Sequence, residues 1–395
     1  MGHKKREDIQ ERDLQGFKFF KRIRVLLEPL HMAACERDRA HNRELHMDQY
    51  MVLLLLYMFN PICVSLRALQ QASTLKKVQR VLGVPRSSLG SLSEAARVFD
   101  SELMKPLIQQ LLGELGPMAH DPRLEDIGAI LTAMDGTLIP AIAKMSWALW
   151  QQDHNAVKAH VQFELLKGVP VVAALTEGNG DECDVLAGSL LPGRLYVLDR
   201  GYARYGLMQK IIDALSSFVV RIKDNSVFEV IEERELSQEA LEAGVVRDAV
   251  VRLGGPKSGK PLRQPVRIVE VACRPHQKAH KNGRGGPQQG ETILLGTDRV
   301  DLPPEVVALI YEHRWDVEIF FRTFKHLLGC RHLLSTCENG IEMQMYAAII
   351  ACLLIALYTG RRPTLRTYEM LNFYFMGWAD LDELQNHIDN LKLQA

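Results

Sequence analysis

The sequence has no excess of charge of either sign, no paired cysteine motif and no apolar run long enough to cross a membrane. Its 48 basic residues balance 48 acidic ones, so overall charge gives no sign of a nucleic-acid partner. The seven cysteines are scattered without a CxxC pair, which suits reduced thiols better than a disulfide framework. The apolar runs 51–59 and 345–358 fall short of the roughly 20 residues that span a bilayer, so we expect two buried core helices.

The first fifteen residues are charged throughout and lack the apolar stretch of a secretory signal. We therefore expect a cytoplasmic protein that does not enter a membrane. The chain has 395 residues, of which 47% are hydrophobic, and this is enough to bury a sizeable core.

One segment departs from the charge balance. Residues 252–284 contain nine basic residues against a single acid, Glu270. Such a block attracts a polyanion, and the alternative interpretation is a basic loop that only faces solvent. If the block binds DNA, we expect it to neutralise backbone phosphates rather than to read bases. The candidate contacts are Lys257, Lys260, Arg263 and Arg267.

The pattern up to about residue 120 is helical and predicts a separate N-terminal domain. Within it, residues 74–99 have the spacing of two helices around a turn at Gly83 to Pro85, with a capping box at Ser91 and Glu94. DNA recognition by the second helix is one interpretation, and an ordinary helical hairpin is the other.

From residue 128 the pattern changes to strands and predicts an α/β fold: a mixed sheet with flanking helices. Two strands should form a hairpin across the turn at Lys167 and Gly168. A strand, a helix over 205–217 and another strand follow. The segment 224–302 contains further strand patterns, and a long helix is predicted over 305–328.

Two of the predicted strands end in aspartate. Asp135 follows LTAM, and Asp199 follows LYVL. A carboxylate at the end of an apolar strand lies where packing stops and a site can open. A turn-capping role is the alternative for each residue alone, and two such strands in one sheet favour a site.

The predicted helix 305–328 supplies a third acid. At about 100° per residue, five polar side chains share one arc of about 80°. They are Tyr311, Arg314, Glu318, Arg322 and Lys325. The opposite side is apolar and should pack on the sheet; it carries Val317, Phe320, Phe321, Phe324, Leu327 and Leu328.

Three carboxylates that a fold could gather match the needs of a site for two Mg²⁺ ions, because Mg²⁺ prefers oxygen ligands and leaves positions open for phosphate and water. Such a pair of ions can promote in-line displacement at phosphorus. We therefore expect phosphodiester chemistry at Asp135, Asp199 and Glu318, with Mn²⁺ able to replace Mg²⁺. Arg314, Arg322 and Lys325 would hold DNA phosphates beside the ions.

These residues resemble the DDE transposases of bacterial insertion sequences, in the insertion-sequence-four family. That family carries Tyr, two residues, Arg, three residues, Glu, six residues and Lys, which matches YEHRWDVEIFFRTFK from Tyr311 to Lys325. The strands MDGT and LDRGY carry the two aspartates. The resemblance covers residues 127–329.

The resemblance implies a ribonuclease-H-like core, interrupted before the glutamate by a β-rich insertion. It implies metal-dependent cutting at the terminal inverted repeats of the element, often through a hairpin, and strand transfer into target DNA by a homodimer that pairs both ends on the nucleoid. In better-known members a Trp of the insertion stacks near a flipped base. Here the insertion has no Trp, so either another side chain stacks or the hairpin step is absent.

The expected organisation has five parts. They are a helical N-terminal domain that is a candidate DNA-binding unit (1–120), the first part of the catalytic core (121–223), the β-rich basic insertion (224–302), the second part of the core with the glutamate helix (303–360) and a C-terminal helical segment (361–395). The last segment has an apolar stripe for dimerisation or for packing within the chain: Leu381, Leu384, Ile388 and Leu391.

Two alternatives to a transposase remain at this point. One is a ribonuclease-H-like nuclease that cuts without joining, and the other is a transposase-derived DNA-binding protein without catalysis. A phosphate-binding loop at 254–261 is rejected because Pro261 stands where Ser or Thr is needed. The cluster His326, Cys330, His332 and Cys337 matches no standard zinc spacing, so we expect a structural role.

Overall fold

The structure is a computed structural model that describes residues 23–33, 43–118, 121–140, 145, 149–151, 154–255, 262–272, 291–327, 333–362 and 364–393. The helices of these residues are α1 (Pro29–Ala33), α2 (Met47–Phe59), α3 (Leu66–Ser73), α4 (Lys76–Leu82), α5 (Leu89–Val98), α6 (Lys105–Glu114), α7 (Glu182–Gly188), α8 (Tyr205–Asp213), α9 (Gln238–Glu242), α10 (Pro304–Glu312), α11 (Trp315–Leu327), α12 (Glu338–Thr359), α13 (Leu365–Phe375) and α14 (Leu381–Leu393). The strands are β1 (Ile130–Pro140), β2 (Leu149–Gln151), β3 (His154–Glu164), β4 (Val169–Glu177), β5 (Arg194–Leu198), β6 (Ser217–Arg221), β7 (Phe228–Glu233), β8 (Val245–Leu253), β9 (Val266–Ala272) and β10 (Thr292–Thr297).

The strands form one mixed sheet, which confirms the predicted sheet with flanking helices. Its order is β2-β3-β1-β5-β6-β10-β9-β8-β7, and β4 pairs with β3. The central strands β1, β5 and β6 are parallel, while β3 and β4 form the predicted antiparallel hairpin. Strands of the segment 224–302 continue the same sheet, because β10 pairs with β6. The inserted strands are therefore hydrogen bonded directly to the sheet that carries the aspartates.

Helices cover both faces of the central strands. Because side chains alternate along a strand, Leu131 and Ala133 of β1 face one layer and Met134 faces the other. The first face packs in the larger apolar core with residues of α2, α10, α11 and α12. The second face packs with α7 and α8 in a smaller core. The predicted helix 205–217 ends earlier, at Asp213, because Leu215 takes a left-handed φ of 57° that turns the chain into β6.

The long apolar helix α12 lies inside the protein. It spans 22 residues and begins earlier than the apolar run 345–358, and by length and composition it could cross a membrane. Most of its apolar window is nevertheless buried in the protein, and it contacts α2, α6 and β4. The prediction of a core helix is confirmed for this segment, and likewise for α2, whose Met51–Phe59 are all buried.

The N-terminal helices differ from the prediction in one boundary. Helix α4 ends at Leu82 and is capped by Gly83, which has a left-handed φ of 67°, as expected for the turn. Helix α5 begins at Leu89, and the Ser88 hydroxyl accepts from the Ser91 N–H at 3.0 Å. The predicted capping box at Ser91 and Glu94 is therefore wrong, because Ser88 caps the helix one turn earlier.

The C-terminal helix α14 packs partly within the chain. Leu384 and Ile388 are buried, whereas Leu381 is 49% exposed. Half of the predicted apolar stripe is therefore used for contacts inside the monomer, such as those between α13 and α14.

Candidate active site

Asp135 and Asp199 lie side by side on neighbouring strands. β1 and β5 are parallel, with Ala133 opposite Val197, and the same register two residues further on places Asp135 opposite Asp199. Adjacent strands lie about 4.8 Å apart. Because side chains alternate along a strand, Asp135 and Asp199 lie on the same face as Ala133 and Val197, which is the face covered by α10 and α11. Their carboxylates therefore start from the same face of the sheet.

Each aspartate is held by a backbone N–H. Asp199 directly follows the last residue of β5, as predicted, whereas Asp135 lies in the middle of β1, so the expectation that its strand ends there is wrong because pairing with β3 continues to Pro140. The Asp135 carboxylate accepts from the Gly136 N–H at 2.8 Å, and the Asp199 carboxylate accepts from the Gly201 N–H at 2.7 Å. The pKa of Asp135 is raised to about 7, chiefly by burial. The Gly136 N–H and the charge of Arg314 oppose this rise, and the charges of Asp199 and Glu182 contribute to it. Asp135 thus lies among other carboxylates in a partly desolvated position, where a nearby cation would stabilise its charged form.

Glu318 is brought to this face by α11. Phe320, Phe321 and Phe324 are buried on the sheet side of the helix, as predicted, and the Phe320 ring lies 4.9 Å from that of Phe163 in β3. Val317 is buried as well, whereas the Leu327 side chain and Leu328 lie outside the described residues. Glu318 stands in the first turn of α11 and is paired with Arg314 at 2.9 Å.

The predicted continuous helix 305–328 is wrong. The chain turns at His313 and Arg314, between α10 and α11. There the Arg314 N–H donates to the Tyr311 carbonyl and the Asp316 N–H to the His313 carbonyl, three residues back instead of four. The His313 ring also contacts Asp316 at 3.1 Å, and Asp316 pairs with Arg362. Contacts from outside the helix thus hold the turn.

The signature residues are divided between the interior and the surface. Tyr311 and Arg314 are buried, and the Arg314 guanidinium lies 5.9 Å from the Tyr311 ring centre and 5.0 Å from that of Trp315. The charge of Arg314 also acts on Asp135 and Asp199. In this structure Tyr311 and Arg314 face the carboxylates rather than open solvent. Arg322 and Lys325 are exposed on α11, where phosphates can reach them.

Of the four residues of the basic block 252–284 that were expected to contact phosphates, two are described, and their surroundings differ. The Arg263 side chain is 69% exposed and pairs with Asp213. Arg267 is 2% exposed and forms two hydrogen bonds with the Asp248 carboxylate, at 2.7 and 2.6 Å. The expectation that Arg267 contacts DNA is therefore wrong, because its charge is used inside the protein. Lys257 and Lys260 lie outside the described residues.

The structure adds residues that sequence reasoning missed. β6 is parallel to β5, with Leu198 opposite Val220, and the next step of that register sets Arg221 opposite Asp199. On the other face, Lys158 pairs with Glu182 above Gly136, next to Asp135. The strand pattern FVVRIK contained a signal for Arg221, because it ends at the same sheet edge as LYVLD. No signal in the sequence marked Lys158 or Glu182.

The three expected metal-binding acids have suitable chemistry but do not form a closed cluster. Carboxylate oxygens are the donors that Mg²⁺ and Mn²⁺ prefer. Within the described part of the chain, however, no group of three His, Cys, Asp or Glu side chains is close enough to hold a metal ion. Glu318 is instead paired with Arg314.

Of the zinc-like cluster, Cys330 and His332 lie outside the described residues, as does the His326 side chain. The Cys337 thiol is 3.2 Å from the Ser335 hydroxyl.

Comparisons with known proteins show similarity to transposases. Residues 127–354 match the family described as transposase DDE domain. The chain is 29% identical over 231 residues to y4zB of Sinorhizobium fredii, described as a transposase, a match that covers 58% of this chain and 61% of that one. It is 26% identical over 309 residues to a protein of Geobacillus stearothermophilus described as a transposase for insertion sequence element IS5377, and this match covers 76% of each chain.

Among solved structures, the piggyBac transposase synaptic complex with hairpin DNA aligns with 96% of this chain and 85% of its own, at 11% identity and a TM-score of 0.45. The family match covers more than half of the sequence and contains all three acids, Asp135, Asp199 and Glu318. The chain therefore belongs to the transposase DDE domain family.

Proposed function

We propose that this protein is a cut-and-paste transposase of the insertion-sequence-four family. It would cut DNA at the ends of its element and join the ends to target DNA, with a ribonuclease-H-like core and Asp135, Asp199 and Glu318 as the catalytic acids. The observation that carries the proposal is the register of β1 and β5, which sets the two aspartates side by side on the face that α11 covers.

The donor set fits divalent cations. Asp135, Asp199 and Glu318 would hold two Mg²⁺ ions, or Mn²⁺ in their place, which when bound activate an attacking oxygen and stabilise a leaving one. The raised pKa of Asp135, caused by burial and then by its acidic neighbours, supports this role because a nearby cation would offset both effects. Arg314, whose charge acts on both aspartates, also pairs with Glu318, the third acid.

Cations of the protein surround this edge of the sheet. Arg221 stands in register with Asp199, and Arg200 and Lys223 line a cavity beside it with Asp224 and Asn225. Together with the exposed Arg322 and Lys325 of α11, these side chains would hold the phosphates of a DNA strand across the catalytic acids. The exposed Arg263, with Lys257 and Lys260, would extend the contact along the insertion.

The remaining parts of the chain would serve assembly. The helices α4 and α5 would contact the element ends, and two copies of the chain would pair both ends before cutting. DNA is the partner in each case, with terminal inverted repeats for recognition and target DNA for joining.

The test uses DNA that flanks the reading frame of this protein, because the terminal repeats of its element should lie there. With Mg²⁺ or Mn²⁺, the full chain should nick these duplexes and join them to a plasmid, and Ca²⁺ should not support the reaction. Asp135→Ala, Asp199→Ala and Glu318→Ala should each abolish cutting while retaining DNA binding. Asp213→Ala removes an exposed carboxylate that pairs with Arg263 and should leave cutting intact.

The outcomes separate the alternatives. Cutting without joined products would favour a nuclease, and binding without cutting would favour a DNA-binding protein that has lost catalysis. Full activity in any of the three acid variants would remove that acid from the proposed site.

A further inference from the structure

The turn between α10 and α11 carries Arg314 and, one helical turn later, Glu318. The Arg314 N–H donates to the Tyr311 carbonyl at 3.1 Å and the Asp316 N–H to the His313 carbonyl at 3.0 Å, each three residues back. Hydrogen bonds of this type have poorer geometry than those of an α-helix. The Arg314 guanidinium donates to the Glu318 carboxylate at 2.9 Å. The orientation of Glu318 therefore depends on what holds this turn.

Asp316 holds the turn from the other side of α11. Asp316 and Glu318 are two residues apart, which corresponds to about 200° around a helix, so their side chains leave on opposite sides. The Asp316 carboxylate contacts the His313 ring at 3.1 Å and pairs with the Arg362 guanidinium. The Asp316 side chain is 19% exposed, so water has little access to these contacts. Because His313 directly precedes Arg314, Asp316 fixes the backbone on both sides of that arginine.

Arg362 connects the turn to the sheet. A second nitrogen of its guanidinium donates to the Leu165 carbonyl at 3.0 Å. The Leu165 N–H in turn donates to the Leu131 carbonyl of β1 at 2.9 Å, four residues before Asp135 in the same strand. The Arg362 side chain also covers Gly168, where an added Cβ would overlap it. An ion pair and two hydrogen bonds therefore join the start of α11 to the strand that carries Asp135.

We propose that Asp316 and Arg362 form a clamp that fixes the orientation of Glu318 relative to Asp135, and that both are positioning residues for metal binding. Arg362 lies beyond residues 127–354, which match the transposase DDE domain, so the segment after that domain contributes to the site. The inference rests on the proposed function, in which Glu318 and Asp135 are metal ligands.

The expected effect is a loss of metal affinity. Removal of groups that orient metal ligands typically weakens metal binding by about 10- to 100-fold. The clamp acts through the backbone of α11 and not on the Glu318 carboxylate itself, so we expect the lower end of this range.

The test uses two mild variants of the full chain without DNA, Asp316→Asn and Arg362→Lys. Asparagine keeps the shape of aspartate without its charge, and lysine keeps the charge of Arg362 without the planar fork that reaches Asp316 and Leu165 together. Mn²⁺ affinity, measured by electron paramagnetic resonance or calorimetry, should fall by about 10-fold in each variant. The double variant should lose no more than the weaker single variant, because both changes break the same clamp.

Amide hydrogen exchange of the metal-free protein gives a second measurement. Exchange at residues 314–317 should be faster in both variants, because the clamp no longer restrains these N–H groups. Exchange in β8, which lies outside the clamp, should stay as in wild type.

Arg299→Lys is the matched control. Arg299 also bridges an acid and a carbonyl, Asp301 at 2.7 Å and Ile127 at 2.9 Å, and its side chain is 18% exposed. These partners lie outside α10, α11 and the turn between them. Arg299→Lys should therefore leave the Mn²⁺ affinity and the exchange at residues 314–317 unchanged.

Three results would overturn the inference while the proposed function stands, provided that Asp135→Ala has lost the ion. The first is wild-type Mn²⁺ affinity in Asp316→Asn and Arg362→Lys, which would make the clamp purely structural. The second is unchanged exchange at residues 314–317, and the third is an equal loss of affinity in Arg299→Lys. Equal Mn²⁺ binding by wild type and Asp135→Ala would instead remove the metal site itself, and with it the proposed function.

Discussion

The buried ion pair between Arg267 and Asp248 leads to a prediction that tests whether the charge of Arg267 stabilises the fold instead of contacting DNA. The two side chains are 2% and 3% exposed, and Arg267 also donates to the Leu302 carbonyl at the entrance to α10. Removal of one partner from a buried pair leaves the other charge uncompensated and costs about 3–5 kcal/mol. Arg267→Ala and Asp248→Ala should each lower the free energy of unfolding by this amount.

Denaturant titration of the metal-free protein measures the effect, and Arg263→Ala is the control. Its side chain is 69% exposed, so it should change stability by no more than about 0.5 kcal/mol. The double variant Arg267→Met with Asp248→Leu replaces the pair with apolar side chains and should recover most of the loss.

DNA affinity at several salt concentrations completes the comparison. Arg263→Ala should reduce the salt slope by about one if it contacts a phosphate, whereas the Arg267→Met and Asp248→Leu double variant should leave the slope unchanged. The reasoning is refuted if Arg267→Ala is no less stable than Arg263→Ala, or if the double variant binds DNA with a reduced slope.

Two further predictions concern helices at the surface. Arg322 and Lys325 are exposed on α11, so Arg322→Ala and Lys325→Ala should each reduce the salt slope of DNA binding by about one and leave stability unchanged; an unaltered slope would show that they only face solvent. In α14, Leu384→Ala should cost about 2–5 kcal/mol because Leu384 is fully buried, while Leu381→Ala, at a 49% exposed position, should cost no more than about 0.5 kcal/mol; equal losses in denaturation would contradict the packing of this helix within the chain.

The central strands and their acids could be predicted from the sequence because their signals are local. A short apolar stretch that ends in aspartate predicts a strand, and for β5 it also predicts where the strand ends. That local pattern identified β1 and β5, and the turn at Lys167 and Gly168 identified the hairpin of β3 and β4. The neighbour relation of Asp135 and Asp199 required the register, which the structure supplies.

The basic block 252–284 shows why a count of charges along the sequence did not predict that Arg267 is buried. Three of its described residues pair with acids that lie outside the block in the sequence: Arg252 with Glu229, Arg263 with Asp213, and Arg267 with Asp248. Two of these pairs follow from the antiparallel pairing of β8 with β7 and with β9. A window along the chain counts the bases and misses acids that the sheet brings beside them, so it overstates the charge available to DNA.

The signature residues from Tyr311 to Lys325 do not lie on one helical face, contrary to the prediction. The turn at His313 and Arg314 breaks the common helix, so the spacing does not create one exposed polar face. Instead, the buried Arg314 contacts both neighbours, with its guanidinium between the Tyr311 ring and the partly exposed Glu318 carboxylate. Arg314 pairs with Glu318, and its charge also acts on Asp135 and Asp199, so one buried cation acts on all three acids. Arg322 and Lys325 remain exposed on α11, so the same short motif carries both buried and exposed positive charges.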